Sequence, residues 1–93
     1  MSTIRWTEQA ALDLQTIARH LSEDSPQAAH TFLDHLDKAV LQLASLPRSG
    51  RVVPELERQN IRRYREVILT PWRLFYEARE DPVIVLADRK STR

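Results

Sequence analysis

A proline at position 26, directly after a serine, separates two stretches of helical hydrophobic spacing. No other feature constrains the fold of this chain as strongly. Ser25 supplies a capping hydroxyl, and Pro26 suits the first helical position, where a missing N–H leaves nothing unpaired and φ is already helical. Before the break, Ala11, Leu14, Ile17 or Ala18, and Leu21 recur on one face, while Asp13, Arg19 and Glu23 fall off it. Thr7 reads as the N-cap, with Glu8 where the helix dipole favours an acid. This predicts a helix over residues 8–23. After the break, Ala29, Phe32 or Leu33, Leu36, Val40 and Leu43 form a second stripe, predicting a helix over 26–45 that stops before Pro47. A connector as short as Ser22 to Ser25 makes the pair an antiparallel hairpin.

The remaining elements read as strands. Residues 3–6 form a short one, with Ile4 and Trp6 on one face and Arg5 on the other. Three more are expected at 62–69, 72–79 and 83–88, joined by turns at Thr70-Pro71 and at Glu80 to Pro82, hence an antiparallel meander. Val83 to Ala87 is apolar throughout, as in a strand covered on both faces. Placing apolar beside apolar sets Val67 and Leu69 next to Leu74 and Trp72, facing the helices with Tyr76. Arg62, Tyr64, Glu66, Ile68, Arg73, Phe75, Glu77 and Arg79 then share an open face. Arg65 points to the helix side and emerges at the end of the sheet. The fifteen residues from Leu46 to Asn60 contain Pro47, the sole glycine (Gly50) and Pro54. That is long for a bare connection, so Val52, Val53 and Leu56 are expected to pack it over the sheet edge rather than leave it a mobile binding loop. The expected fold is α+β: a small antiparallel sheet packed on an N-terminal helical hairpin, in the order β-α-α-β-β-β.

Composition narrows the functional classes. Ninety-three residues, 42% of them hydrophobic and 29% charged, suit a single domain over 1–93. The absence of cysteine excludes a disulfide framework and a thiolate metal site, and accords with a cytoplasmic location. The longest strongly apolar run, Val83 to Ala87, is far too short to span a membrane, and the N-terminus has no apolar core of a signal peptide. Charge is divided unevenly. Residues 1–45 hold three Lys/Arg against six Asp/Glu, a net of −3, and residues 46–93 hold eleven against seven, a net of +4. Twelve of the fourteen basic residues are Arg, whose planar fork suits phosphate or carboxylate. The basic half fits an anionic partner, either nucleic acid or an acidic protein segment, as well as a solvated charged surface.

Familiar catalytic and metal motifs are missing. His30 and His35 lie about 140° apart around one helix and His20 lies on the other, so the three read as surface histidines rather than ligands. There is no glycine-rich phosphate loop and no glycine-framed nucleophile turn, and no cofactor is implied. Trp6 and Trp72 read as core or edge packing. What remains is a constellation of Tyr64, Arg65, Glu66, Arg73, Arg89 and Lys90. An arginine-and-carboxylate surface with aromatics can stack bases and pair phosphates, receive a peptide, or simply carry cross-strand ion pairs. Metal-free RNA cleavage asks for a base, an acid and arginines around a pentavalent phosphate, all residue types present here.

In the order and spacing of its pieces the chain resembles the RelE/ParE superfamily of toxins from type II toxin–antitoxin systems. The resemblance rests on Ala11-Leu12-Asp13-Leu14 with Ile17-Ala18, Leu46-Pro47 with Ser49-Gly50-Arg51, and Pro54-Glu55-Leu56. Asn60-Ile61-Arg62 leading into Arg65-Glu66-Val67, and Pro71-Trp72-Arg73-Leu74-Phe75-Tyr76, complete it. It implies a growth-inhibiting toxin neutralised by a cognate antitoxin that wraps it in a hetero-oligomer. An otherwise disordered antitoxin segment would dock on the helix–sheet groove and turn its acidic groups to the basic half.

Two activities divide that superfamily. The Ser-Gly-Arg-x-x-Pro-Glu-Leu stretch from Ser49 looks like the ParE and plasmid-stabilisation branch, which implies inhibition of DNA gyrase without catalytic chemistry. On that reading Arg62, Tyr64, Arg73, Phe75, Arg79 and Lys90 would bind target or partner. The alternative is a RelE-like, ribosome-dependent mRNA endonuclease. There, by resemblance, Arg73 and Arg89 would clamp the scissile phosphate, with Arg65 nearby and Glu66 or Tyr64 transferring protons. The chain departs from that branch in placing Val67 where a second basic residue is usual. Its tail, Ser91-Thr92-Arg93, also lacks a Tyr or His. A third reading, an antitoxin-binding module without toxicity, is suggested by Ala87-Asp88-Arg89, where the family often has a His-Gly-Arg.

Overall fold

The computed structural model describes residues 2–79 and 81–90. Thr7 caps the first helix as its spacing predicts, its hydroxyl accepting from Ala10 N at 3.1 Å, and α1 runs Glu8–Asp24 after the strand β1, Ile4–Trp6. Ser25 repeats the device for α2, Pro26–Ser45, accepting from Ala28 N at 3.3 Å with proline at the first turn. Next come β2 (Arg51–Val52), the four-residue helix α3 (Pro54–Glu57), β3 (Tyr64–Leu69), β4 (Trp72–Glu77) and β5 (Val83–Lys90). The expected order holds, with β2 and α3 added inside the stretch read as a packed cover.

The strands form one sheet in the order β1-β5-β4-β3-β2. The meander β3-β4-β5 is antiparallel, and β2 adds antiparallel to β3. β1, whose place in the sheet its sequence left open, joins the outer edge of β5 in parallel, pairing Ile4 with Val83 and Trp6 with Val85. Leu69 faces Trp72 and Val67 faces Leu74, the register that apolar matching predicts. On the helix side, Leu74, Tyr76, Ala78, Val83 and Val85 close a core with Ala10, Leu36 and Leu43. α1 packs over β5, and α2 over β3. Trp72 meets the edge of Phe32 at 6.5 Å between ring centroids, so this tryptophan packs against the core.

Two findings depart from the sequence reading. The face of the sheet away from the hairpin is not open over β3 and β4. α3 lies against it through Glu55, and Glu66 and Arg73 are buried at 1% and 6% exposure. Second, β5 carries a bulge. Phe75 faces Ala87 while Tyr76 faces Val85, so Leu86 has no partner on β4. The extra residue inverts the alternation, and Asp88, opposite Leu74, turns to the buried side, while Arg89 falls opposite Arg73. Glu80 of the second turn and the tail residues Ser91-Thr92-Arg93 lie outside the described residues.

Candidate functional site

Four side chains from four elements meet on the sheet face away from the helical hairpin. The β2–β3 register sets Arg51 beside Glu66, and the β3–β4 register sets Glu66 beside Phe75, diagonal to Arg73. Pro54 starts α3 immediately after the buried Val53, which swings Glu55 over Arg73. Tyr76 fixes the approach to β2. Its phenol oxygen accepts from Gly50 N at 2.9 Å, and Arg65 Nη1 donates to the carbonyls of Arg48 (3.0 Å) and Gly50 (2.9 Å). A side chain at position 50 would put Cβ 2.6 Å from the Tyr76 phenol oxygen and 2.7 Å from the Glu66 carbonyl oxygen. The only glycine of the chain therefore stands where backbone and phenol come closest.

The result is an alternating chain of charge: Arg51, Glu66, Arg73, Glu55. Arg51 donates to Glu66 Oε2 from Nε at 3.0 Å and from Nη2 at 2.9 Å. Arg73 grips Glu66 along one side, Nε to Oε2 at 3.1 Å and Nη2 to Oε1. It grips Glu55 end-on, Nη1 to Oε2 and Nη2 to Oε1, both at 3.0 Å. Both are bidentate, the strongest form of this pairing. The Arg73 guanidinium also lies 4.9 Å from the Phe75 ring centre. Burial alone would push the Glu66 carboxyl up. Hydrogen bonds from Arg73 and Arg51 outweigh it, and Glu66 is held below the usual carboxylate range. Hydrogen bonds to Glu55 and Glu66 raise Arg73 further above its ordinary value. All four groups are engaged in the network.

Of the residues singled out in the sequence, the fold brings together Arg73, Glu66, Phe75 and, opposite Arg73 on β5, Arg89. Arg89 is exposed, with its Nε 3.7 Å from Asp13 Oδ2. Arg65 does face the helix side and leaves the sheet at its end, where it pins the loop before β2. The others stand apart. Arg62 pairs with Glu57 at 2.9 Å, and Arg79 lies 3.6 Å from Glu77. Tyr64 carries the Arg63 guanidinium 4.9 Å from its ring centre. Lys90 is exposed, opposite Trp72 on the hairpin side. His20, His30 and His35 are all exposed, and no group of three or more His, Cys, Asp or Glu among the described residues could hold a metal ion.

Arg51 and Glu55 were not picked out as site residues in the sequence, although both belong to the Ser-Gly-Arg-x-x-Pro-Glu-Leu stretch. The arginine and acid flanking a Val-Val-Pro turn were the available signal. Asp13 and Asp88 carried none, because only the bulge brings Asp88 to the helix side.

A small sheet carrying a helical hairpin on one face and a fully paired ionic network on the other defines a class of small α+β protein with a charged, structured surface. Among solved structures, the chain is similar to one described as the chromosomal ParDE TA system from P. aeruginosa. The TM-score is 0.71 at 20% identity, over 97% of this chain and 96% of that one, a likeness of fold. No curated protein matches. The family model described as ParE toxin of type II toxin-antitoxin system, parDE, matches residues 4–90, and the chain belongs to that family of toxins.

Proposed function

We propose that this toxin acts by binding, inhibiting DNA gyrase with no chemistry of its own, and that a cognate antitoxin neutralises it in a hetero-oligomer. One observation carries the binding reading: the Arg73 guanidinium is closed on both usable edges by Glu66 and Glu55. A phosphate clamp needs free guanidinium N–H groups, and a general base needs an accessible carboxylate near the operating pH. Arg73 offers few such donors and Glu66 is buried between two arginines, so this face suits a rigid docking surface. The exposed cations elsewhere on the basic half, Arg62, Arg79, Arg89 and Lys90, suit an acidic partner, the first three by exchanging their contacts with Glu57, Glu77 and Asp13.

Family membership supports the gyrase target. A supercoiling assay with purified toxin tests it: relaxed plasmid should persist as toxin is added, and full supercoiling at saturating toxin would sink the proposal. Induced expression without antitoxin should arrest growth and switch on a DNA-damage reporter.

The mRNA-cleaving alternative has one observation in its favour, the cross-strand juxtaposition of Arg73 and Arg89. On that reading Glu55 must release Arg73 before a phosphate can bind. Primer extension on translated mRNA separates the two: codon-linked cuts that disappear with Arg73→Ala or Arg89→Ala support cleavage, and an uncut message supports binding. Growth that continues through induction would point to the antitoxin-binding module without toxicity.

A further inference from the structure

β1 ends at Trp6, opposite Val85, so among the described residues the last part of β5 has no neighbouring strand on that side. Thr7 and α1 stand in for one. Thr7 N donates to Val85 O at 3.0 Å, Thr7 Oγ1 donates to Leu86 O at 3.0 Å, and Asp88 N donates to Asp13 Oδ2 at 3.0 Å. Asp13 is itself steadied by Gln9 Nε2, 2.7 Å from its other oxygen. The bulge at Leu86 then folds the Asp88 side chain into this seam. Asp88 is 3% exposed, and among the described residues neither of its carboxylate oxygens has a hydrogen-bond partner.

The elements packed against β5 are β4, α1 and β1. β4 sets the apolar Leu74 opposite Asp88. α1 brings Asp13, a like charge. The Arg5 of β1 pairs with Ile84, on the face away from the hairpin. On β5 itself Arg89 leans to Asp13, and Lys90 is exposed. An ionised Asp88 would thus sit dry, beside another carboxylate, with no cation of its own among the described residues.

We propose that Asp88 is a proton-operated latch on the end of β5: as a neutral carboxyl it lets α1 and β5 close over a dry seam, and its ionisation loosens the segment that carries Arg89 and Lys90. A buried carboxylate without a partner is among the most unfavourable groups a fold can hold, and its neutral form is not. Burial, and then the charge of Asp13, push the carboxyl up to about 7. The latch therefore works across the neutral range, where ordinary aspartates are fully ionised. The folded value lies above the unfolded one, so the contribution is complete below the ordinary 3.8 and is lost as pH rises through about 7. Since Arg89 and Lys90 belong to the exposed cationic surface, loosening them changes what that surface presents to a partner.

The direct test is an NMR titration of the side-chain carboxyl carbons in the intact chain. Asp88 should titrate with a midpoint near 7, and a midpoint in the ordinary aspartate range would overturn the proposal. Amide exchange, corrected for intrinsic rate, should show protection over residues 86–90 falling on the order of tenfold per pH unit as pH rises toward the midpoint. Protection elsewhere in the sheet should hold. Asp88→Asn should remove that pH dependence while leaving the sheet folded. A variant that keeps it would reject Asp88 as the group responsible. Should Asp88→Asn fail to fold, the titration of the wild-type chain still decides.

Discussion

Arg73 shows at the residue scale how a charged side chain comes to be buried. Its side chain is 7% exposed and that of Glu66 fully covered, and each supplies what the other needs. Removing one partner leaves the other dry and paired on one side only, Glu66 by Arg51 and Arg73 by Glu55. Arg73→Ala should therefore cost about 3–5 kcal/mol, read from the midpoint of chemical denaturation. Glu55 is half exposed, with water to replace it, so Glu55→Ala should cost below about 1 kcal/mol in the same measurement. A similar loss from both substitutions would show that burial is not what distinguishes the two contacts. Glu66 also sets an acid limit. Its carboxyl is held below the ordinary 4.5, so its contribution is full above that pH and lost as pH falls through the lower folded value. Acid unfolding followed by circular dichroism should begin below pH 4.5 in the parent and show a flatter acid limb in Glu66→Gln.

At the scale of elements, α3 is only four residues long and cannot be stable alone. It stays in place because Val53 is buried before it, Glu55 is tied to Arg73, and the loop leading to β2 is pinned by Tyr76 and Arg65. Gly50→Ala would drive a methyl group into the Tyr76 phenol and the Glu66 carbonyl. The expected loss is about 1–3 kcal/mol, together with faster amide exchange over β2 and α3. Tyr76→Phe removes only the hydrogen bond to Gly50 N and should cost about 1 kcal/mol. Combining Gly50→Ala with Tyr76→Phe, which removes the nearest of the three close contacts and leaves the ring Cε1 at 2.8 Å and the Glu66 carbonyl at 2.7 Å, should cost less than the sum of the two. Strict additivity would mean that they do not meet as described.

For the whole molecule, the uneven charge is the property to follow. The acidic N-terminal half supplies the hairpin and β1, and the basic half the other four strands, so the two faces present different fields. If an acidic antitoxin segment meets the sheet half, calorimetric titration should show affinity falling steadily with ionic strength, chiefly through slower association. Affinity indifferent to salt would instead assign the complex to apolar contacts.

The helices, their caps and the β3–β4 register are all legible in the sequence, and for one reason. Each depends on neighbours in sequence: a hydroxyl three residues before the amide it accepts from, apolar side chains every third or fourth residue, or alternation across a turn. Arg65 too was legible, because its face follows from the parity of Val67 and Leu69. The burial of Arg73 and Glu66 was not. Alternation assigns a side chain to a face but cannot say whether something covers it, and the cover is a helix too short to announce itself. Nor was the inward turn of Asp88 legible. One unpaired residue at Leu86 reverses the faces of all that follow, and nothing in Val83 to Ala87, apolar at every position, marks where that residue falls. The sequence by itself determined the hairpin, four of the five strands and the pairing of Leu69 with Trp72. Only the tertiary structure decided which charges are buried and which are free to meet a partner, because burial depends on contacts between segments far apart along the chain.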